Sequence, residues 1–189
     1  MIERDLPDDH VWLRITRPEY LDPFDTTFAR RVGGRWNPPD SWPTLYLNAD
    51  MATVHAQVRH MFVGRGVDPD DLDDGAPMHL AAATLPRRQR VADVVSDEGV
   101  VAAGLAPSYP LDAVGDLVGH DVTQPVGEVV HERGLRGVWS RSAALVGEEL
   151  AWFPARRAVA HPYWNRPRPF GSWRHARAVT EVIEPGNSR

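Results

Sequence analysis

The chain has 189 residues with 21 basic and 26 acidic side chains and a formal charge of −5, the length of one ordinary domain and a balance that argues against general polyanion binding. It contains no cysteine, which excludes disulfides, thiolate zinc centres and a cysteine nucleophile, and fits a reducing compartment. All 21 basic side chains are arginine, so an anion has to be recognised by individually placed guanidinium groups.

The first residues, "MIERDLPDDH", are acidic and polar and lack the basic and apolar regions of a secretion signal. No later run is apolar enough to span a bilayer, so a cytoplasmic, membrane-free protein is expected. "HVWLRIT" at His10 to Thr16 alternates apolar and polar residues as a half-buried strand does, and turn-rich "RPEYLDPF" follows it. Next comes "RRVGGRWNPP", Arg30 to Pro39, a stiff and cationic corner in an acidic protein. "PTLYLN" reads as a short strand carrying Tyr46. In "ADMATVHAQVRHMF", Met51, Val54, His55, Val58 and Phe62 recur at helical spacing behind an Asp50 N-cap. His55 lies in the apolar stripe and reads as a packed histidine, His60 as an exposed one.

"VDPDDLDDGAP" has no apolar period and lacks the spacing of a calcium loop, so it reads as solvated. "MHLAAATL" and "RVADVV" read as strands. "TQPVGEVVHERG" reads as a helix capped by Thr123, with Val126, Val129 and Val130 on one face and Gly134 as terminator. "RGVWS" and "ELAWF" supply two further strands, and the sum is an α+β domain with more strand than helix. Beyond Pro154, "ARRAVAHPYWNRPRPFGSWRHAR" carries six arginines, no acid, and Tyr163, Trp164, Phe170 and Trp173. Such a composition suits a single-strand nucleic-acid groove. It also suits a strap with aromatics inward and arginines outward, which is the expected reading because nothing else points to nucleic acid. "HARAVTEVI" is expected to add a last strand.

Two arginines are candidates for anion binding. Arg14 lies on the first strand, and Arg35 follows Gly33 and Gly34, where the backbone can take positive φ and approach a ligand closely. Trp36 stands beside them. No metal is expected: His120 and His131 lack ligand spacing and no His-Glu-x-x-His occurs. Ser140 and Ser142 lack the G-x-S-x-G setting of a hydrolase nucleophile.

The blocks Arg14, "ARRVGGRWNPPDSWPTLYLNAD", "VADVVSDEGVVAAGLAPSYPLDAVG", "VTQPVGEVVHERGLRGVWSRSAA" and "ELAWFP", in this order and spacing, resemble the RES domain, the toxin half of RES-Xre toxin-antitoxin modules. The resemblance covers about Arg14 to Pro154. It implies an ADP-ribosyltransferase-like fold, with small antiparallel or mixed sheets and flanking helices around an NAD+ cleft. Residues 1–154 would form that domain and 155–189 an extension packed on it. The implied activity is NAD+ degradation by hydrolysis, phosphorolysis or ADP-ribosyl transfer, with NAD+ as substrate and no metal. The implied partner is an Xre-like antitoxin that covers the cleft, and a homodimer is left open.

Carried over by position, the resemblance places Arg14, Arg35, Tyr46 and Ser142 in the site; together with the corner residues Gly33, Gly34 and Trp36 they make the expected binding set, and Arg35, Tyr46, Gln57 and Ser142 the expected catalytic set. The family's glutamate falls at Gln57. A neutral amide keeps a hydrogen bond to a ribose hydroxyl but loses the charge that steadies an oxocarbenium-like state, a loss on the order of a hundredfold in rate. Two expectations follow: an NAD+-degrading enzyme of the RES type whose rate or acceptor is altered by Gln57, with Glu148 and Glu149 as candidates to replace the missing carboxylate, or a nucleotide-binding or interaction module of the same fold with weak or no activity.

Overall fold

The computed structural model describes residues 1–155 and 157–183. Its strands are β1 (Glu3–Asp5), β2 (Trp12–Thr16), β3 (Leu45–Asn48), β4 (His79–Thr84), β5 (Arg90–Val94), β6 (Gly137–Arg141), β7 (Glu148–Trp152) and β8 (His161–Pro162). They pair in the order β1-β5-β6-β7-β3-β2-β4-β8. Only the β5–β6 pair among them is parallel. The helices are α1 (Thr27–Val32), α2 (Met51–Phe62), α3 (Asp97–Ala102), α4 (His120–Glu132) and α5 (Val179–Ile183). The α+β class expected from the sequence is found, with one continuous eight-stranded sheet where small sheets were expected.

Period-two alternation assigns the two faces of this sheet. One face presents Trp12, Leu45, Leu47, Ala81, Ala83, Val91, Trp139, Leu150 and Trp152, which form a single buried cluster containing no helix residue. Trp12 on β2 and Trp139 on β6 have ring centroids 5.3 Å apart, although β7 and β3 lie between their strands and a flat sheet would separate those strands by about 14 Å. The sheet therefore curls around this face and fills it with its own side chains.

The other face splits in two. Under α2, Leu13, Leu80 and Ala82 pack against Met51, Val54 and Val58. Under α4, Ala92, Val94, Val138 and Ala151 pack with Trp36, Tyr109 and Val130. Between the clusters runs a polar row across three strands, Asn48, Glu149 and Ser140, in register. At the same seam β2 and β3 pair at one point only, Leu13 with Asn48. Beyond it the strands part, so the sheet is all but divided where Arg14 and Tyr46 stand.

The helix after "LYL" begins as expected: the Asp50 carboxylate accepts from Thr53 N at 2.7 Å. The second long helix begins three residues before its expected cap. Gly119 is the N-cap, and Thr123 lies inside the helix, where its hydroxyl donates to the carbonyls of Arg35 and Gly119. The last expected strand is helix α5, because Val179, Val182 and Ile183 recur at helical spacing and pack under α2, while β8 occupies that edge beside β4. In the same C-terminal stretch, Phe170 and Trp173 are buried. Arg174 ties this stretch to the acidic loop, donating to Leu72 O at 2.7 Å and pairing with Asp74 at 3.2 Å.

The approach of α4 to the corner depends on Gly127, where an added Cβ would overlap the Trp36 carbonyl. Because backbone on both sides cannot yield, Gly127→Ala is expected to destabilise the fold by about 1–3 kcal/mol. A urea-denaturation midpoint equal to that of the wild type would contradict this close contact.

Candidate active site

The corner "GGRWNPP" is held from two sides. Gly33, at φ 79°, ends α1, and a Cβ there would meet the backbone of Asn37 to Pro39 within 3.0 Å. Gly34 N donates to Asn37 O at 2.9 Å, and an added Cβ at Gly34 would overlap the Tyr46 ring. From α4, Gln124 Nε2 donates to Gly34 O at 3.0 Å and Asn37 O at 3.3 Å. From β3, the Tyr46 hydroxyl accepts from Trp36 N at 2.9 Å and donates to Asn37 Oδ1 at 2.8 Å. Asn37, fully buried, closes the circuit by donating to Ala29 O at 2.8 Å. Every polar group of this turn named here is satisfied, as burial requires.

Beside the corner lies a cleft of about 400 Å³, within the roughly 300–1,000 Å³ of small-molecule sites. Its walls bring together Arg14, Gly33, Gly34, Arg35, Tyr46 and Gln57 from the sequence-derived set, and add Phe28, Asn48, His60, Ala143, Ala144 and Glu149. Two of the set do not reach it. Trp36 is 1% exposed and belongs to the apolar cluster under α4, because its side chain turns inward while its backbone N–H meets Tyr46. Ser142 is also 1% exposed. Its hydroxyl donates to Glu149 Oε1 at 2.6 Å and accepts from Ala144 N at 3.1 Å, so it touches the cleft through Glu149.

Each wall residue has a defined environment. Arg35 Nη1 donates to Val118 O at 2.8 Å, which fixes the side chain at one nitrogen and leaves the rest of the planar fork for an anion. Arg14 Nη1 lies 3.3 Å from Asp25 O, and burial pushes its pKa down from the ordinary arginine value. Burial pushes the Tyr46 phenol upward, so with its hydroxyl engaged at both ends it offers a ring and no titratable group. Gln57 Oε1 accepts from Asn48 Nδ2 at 2.9 Å, which anchors the amide to the sheet.

Glu149 is the acid of the cleft. Burial pushes its carboxyl pKa above the ordinary glutamate value, opposed by the Ser142 hydrogen bond and by the charge of Arg35. Glu148, one residue earlier on β7, falls on the opposite face by alternation, on the side of His10. Among the described residues no group of three or more His, Asp or Glu side chains could hold a metal ion, and no helix is long and apolar enough to cross a membrane.

What the sequence missed is the support. Asn37 and Gln124 are ordinary polar residues in the text of the chain, and only the fold shows that they close the corner. Thr123 carried a signal, a β-branched hydroxyl at a helix start, whose partner is the neighbouring loop.

The raised pKa of Glu149 has a stability consequence. The folded state holds the proton more tightly than the unfolded chain, so the ionised carboxylate costs stability above its folded pKa. That cost disappears as pH falls through this pKa toward the ordinary glutamate value. Glu149→Gln, whose amide oxygen can still accept from Ser142, is therefore expected to melt higher than the wild type at neutral pH, with the gap closing in acid. A wild type that melts higher at neutral pH would contradict the environment described.

Comparison with known proteins agrees with this architecture. No curated protein sequence matches the chain. Among solved structures, a chain of the M. tuberculosis MbcT-MbcA toxin-antitoxin complex shares the fold, with a TM-score of 0.59 and 24% sequence identity over 76% of this chain and 73% of that one. The model of the RES domain matches residues 11–171, a span that includes the corner, the cleft and both helices over the sheet, and the chain belongs to the RES domain family.

Proposed function

We propose that the protein is the toxin of a toxin-antitoxin pair and that it degrades NAD+ by cleaving the bond between nicotinamide and ribose. The observation that carries this reading is the convergence of Arg14, Arg35, Tyr46 and a carboxylate on one cleft of small-molecule scale. The complex whose fold is shared is a toxin-antitoxin complex, and family membership supports the same reading.

The residues divide the work by chemistry. Arg14 and Arg35 present guanidinium groups to the pyrophosphate, whose paired oxygens suit a planar fork. Gly33 and Gly34 line the cleft, and because the turn backbone and the Tyr46 ring fill the space a side chain would need at each, they set the shape of the corner that presents Arg35. Tyr46 supplies a ring face against nicotinamide or its ribose, and Gln57 with Asn48 supplies amide hydrogen bonds to ribose hydroxyls. Because the corner is already fixed by α4 and β3, little ordering entropy remains to be lost on binding. The acceptor is water, phosphate or a protein side chain. A partner of the Xre type would neutralise the toxin by covering the cleft mouth, where Phe28 is exposed.

Purified protein incubated with NAD+ is expected to release free nicotinamide. Arg35→Ala should lower that rate by on the order of a hundredfold or more, and comparison with and without phosphate identifies the acceptor. Saturable NAD+ binding without nicotinamide release above the Arg35→Ala control would instead favour a binding module.

A further inference from the structure

We infer that Glu149, on β7, is the catalytic carboxylate of this cleft, supplying from the sheet the negative charge that Gln57 on α2 cannot. The inference rests on the reading of the cleft as an NAD+-cleaving site, and four observations carry it.

Glu149 is the one acid among the cleft walls of the described residues. Its position is shared with Gln57 through a single intermediary: Asn48 pairs with Glu149 across the β3–β7 ladder and donates its amide to Gln57. The strand residue and the helix residue thus stand on either side of the same asparagine. A second carboxylate at residue 57 would bring two like charges together in a half-buried site and force one to stay protonated. A neutral residue at 57 is therefore what a working acid at 149 requires.

The carboxylate is also oriented. Ser142, itself buried, donates to Oε1 at 2.6 Å, which leaves Oε2 for a ligand. Finally, the residue is expensive where it stands. Its charge is disfavoured by burial, and nothing in the packing requires an acid in that polar row, where Asn48 and Ser140 are neutral. Costly acids in clefts mark chemistry more often than structure.

In the reaction, the bond from nicotinamide N1 to ribose C1′ breaks, and its electron pair leaves with nicotinamide, which departs neutral. Positive charge spreads over C1′ and the ring oxygen until an acceptor oxygen bonds to C1′. With water as acceptor the products are ADP-ribose, nicotinamide and one proton, which passes to solvent. Ionised Glu149 stabilises the positive ribose during this passage. The groups facing it are Arg35 from the corner, His60 from α2, Arg14 from β2, Tyr46 from β3 and Tyr109 from the loop before α4. Activity should therefore fall in acid along a limb set above the ordinary glutamate value.

The test is nicotinamide release from NAD+ by the full chain, from acid to neutral pH, with NAD+ binding followed by calorimetry. Glu149→Gln is expected to lose on the order of a hundredfold in kcat with NAD+ still bound and the acid limb gone, while Glu148→Gln behaves as the wild type. Ser142→Ala, which removes a hydrogen bond to the ionised form, is expected to move the limb to higher pH. Adding Gln57→Glu to Glu149→Gln is expected to restore part of the rate. Wild-type turnover that Glu149→Gln keeps, or a limb that it retains, overturns the assignment alone. Absence of turnover in the wild type despite saturable binding overturns the functional reading and the assignment together. If Glu149→Gln does not fold, a wild-type limb at the ordinary glutamate value, unmoved in Ser142→Ala, overturns it.

Discussion

The cleft depends on one hydroxyl more than on any other group. The Tyr46 hydroxyl accepts a hydrogen bond from Trp36 N and donates one to Asn37 Oδ1, joining the strand that walls the cleft to the turn that presents Arg35. The same turn is gripped from α4 by Thr123 and Gln124. A guanidinium at the end of a flexible loop would have to be ordered at each binding event, at a cost of about 0.5–1.5 kcal/mol for each immobilised side chain. Here much of that ordering is completed on folding.

The second constraint is the seam in the sheet. One face of the sheet is a continuous apolar interior, and the other supports two helices over two separate clusters. Asn48, Glu149 and Ser140 interrupt the apolar surface between them, where β2 and β3 barely pair. A polar row inside a sheet weakens the core it interrupts. Asn48 and Glu149 are held by hydrogen bonds to Gln57 and Ser142 and give the cleft a polar floor, whereas the buried Ser140 hydroxyl has no partner among the described residues. With Glu149 as the proposed acid, stability and function pull in opposite directions there.

Much of this was legible in the chain. Alternation in "HVWLRIT", the Asp50 cap and the apolar period of α2 gave strand and helix directly, because local pattern and final packing agree there. The corner was legible as an anomaly: two glycines and three arginines in an acidic protein. The short helix α1 was not, since it buries no residue and so has no apolar stripe. The terminal helix was mistaken for a strand because β-branched residues dominate "HARAVTEVI" and its partner face under α2 is set by tertiary packing. At the cleft, Arg14 and Arg35 stood out as placed arginines, one on a strand and one behind a glycine pair, and the resemblance to the RES domain added Tyr46 and Gln57, whereas the choice between Glu148 and Glu149 needed the register of β7 against β3. One residue of shift would have sent the carboxylate to the opposite face.

The account is tested most directly by a crystal structure of the chain with an NAD+ analogue whose nicotinamide-ribose link cannot be cleaved. It is expected to show the pyrophosphate oxygens within hydrogen-bond reach of Arg14 and Arg35 and the ribose C1′ facing the free oxygen of Glu149. An analogue seated outside this cleft, or bound in it with the nicotinamide end turned away from Glu149, would contradict it.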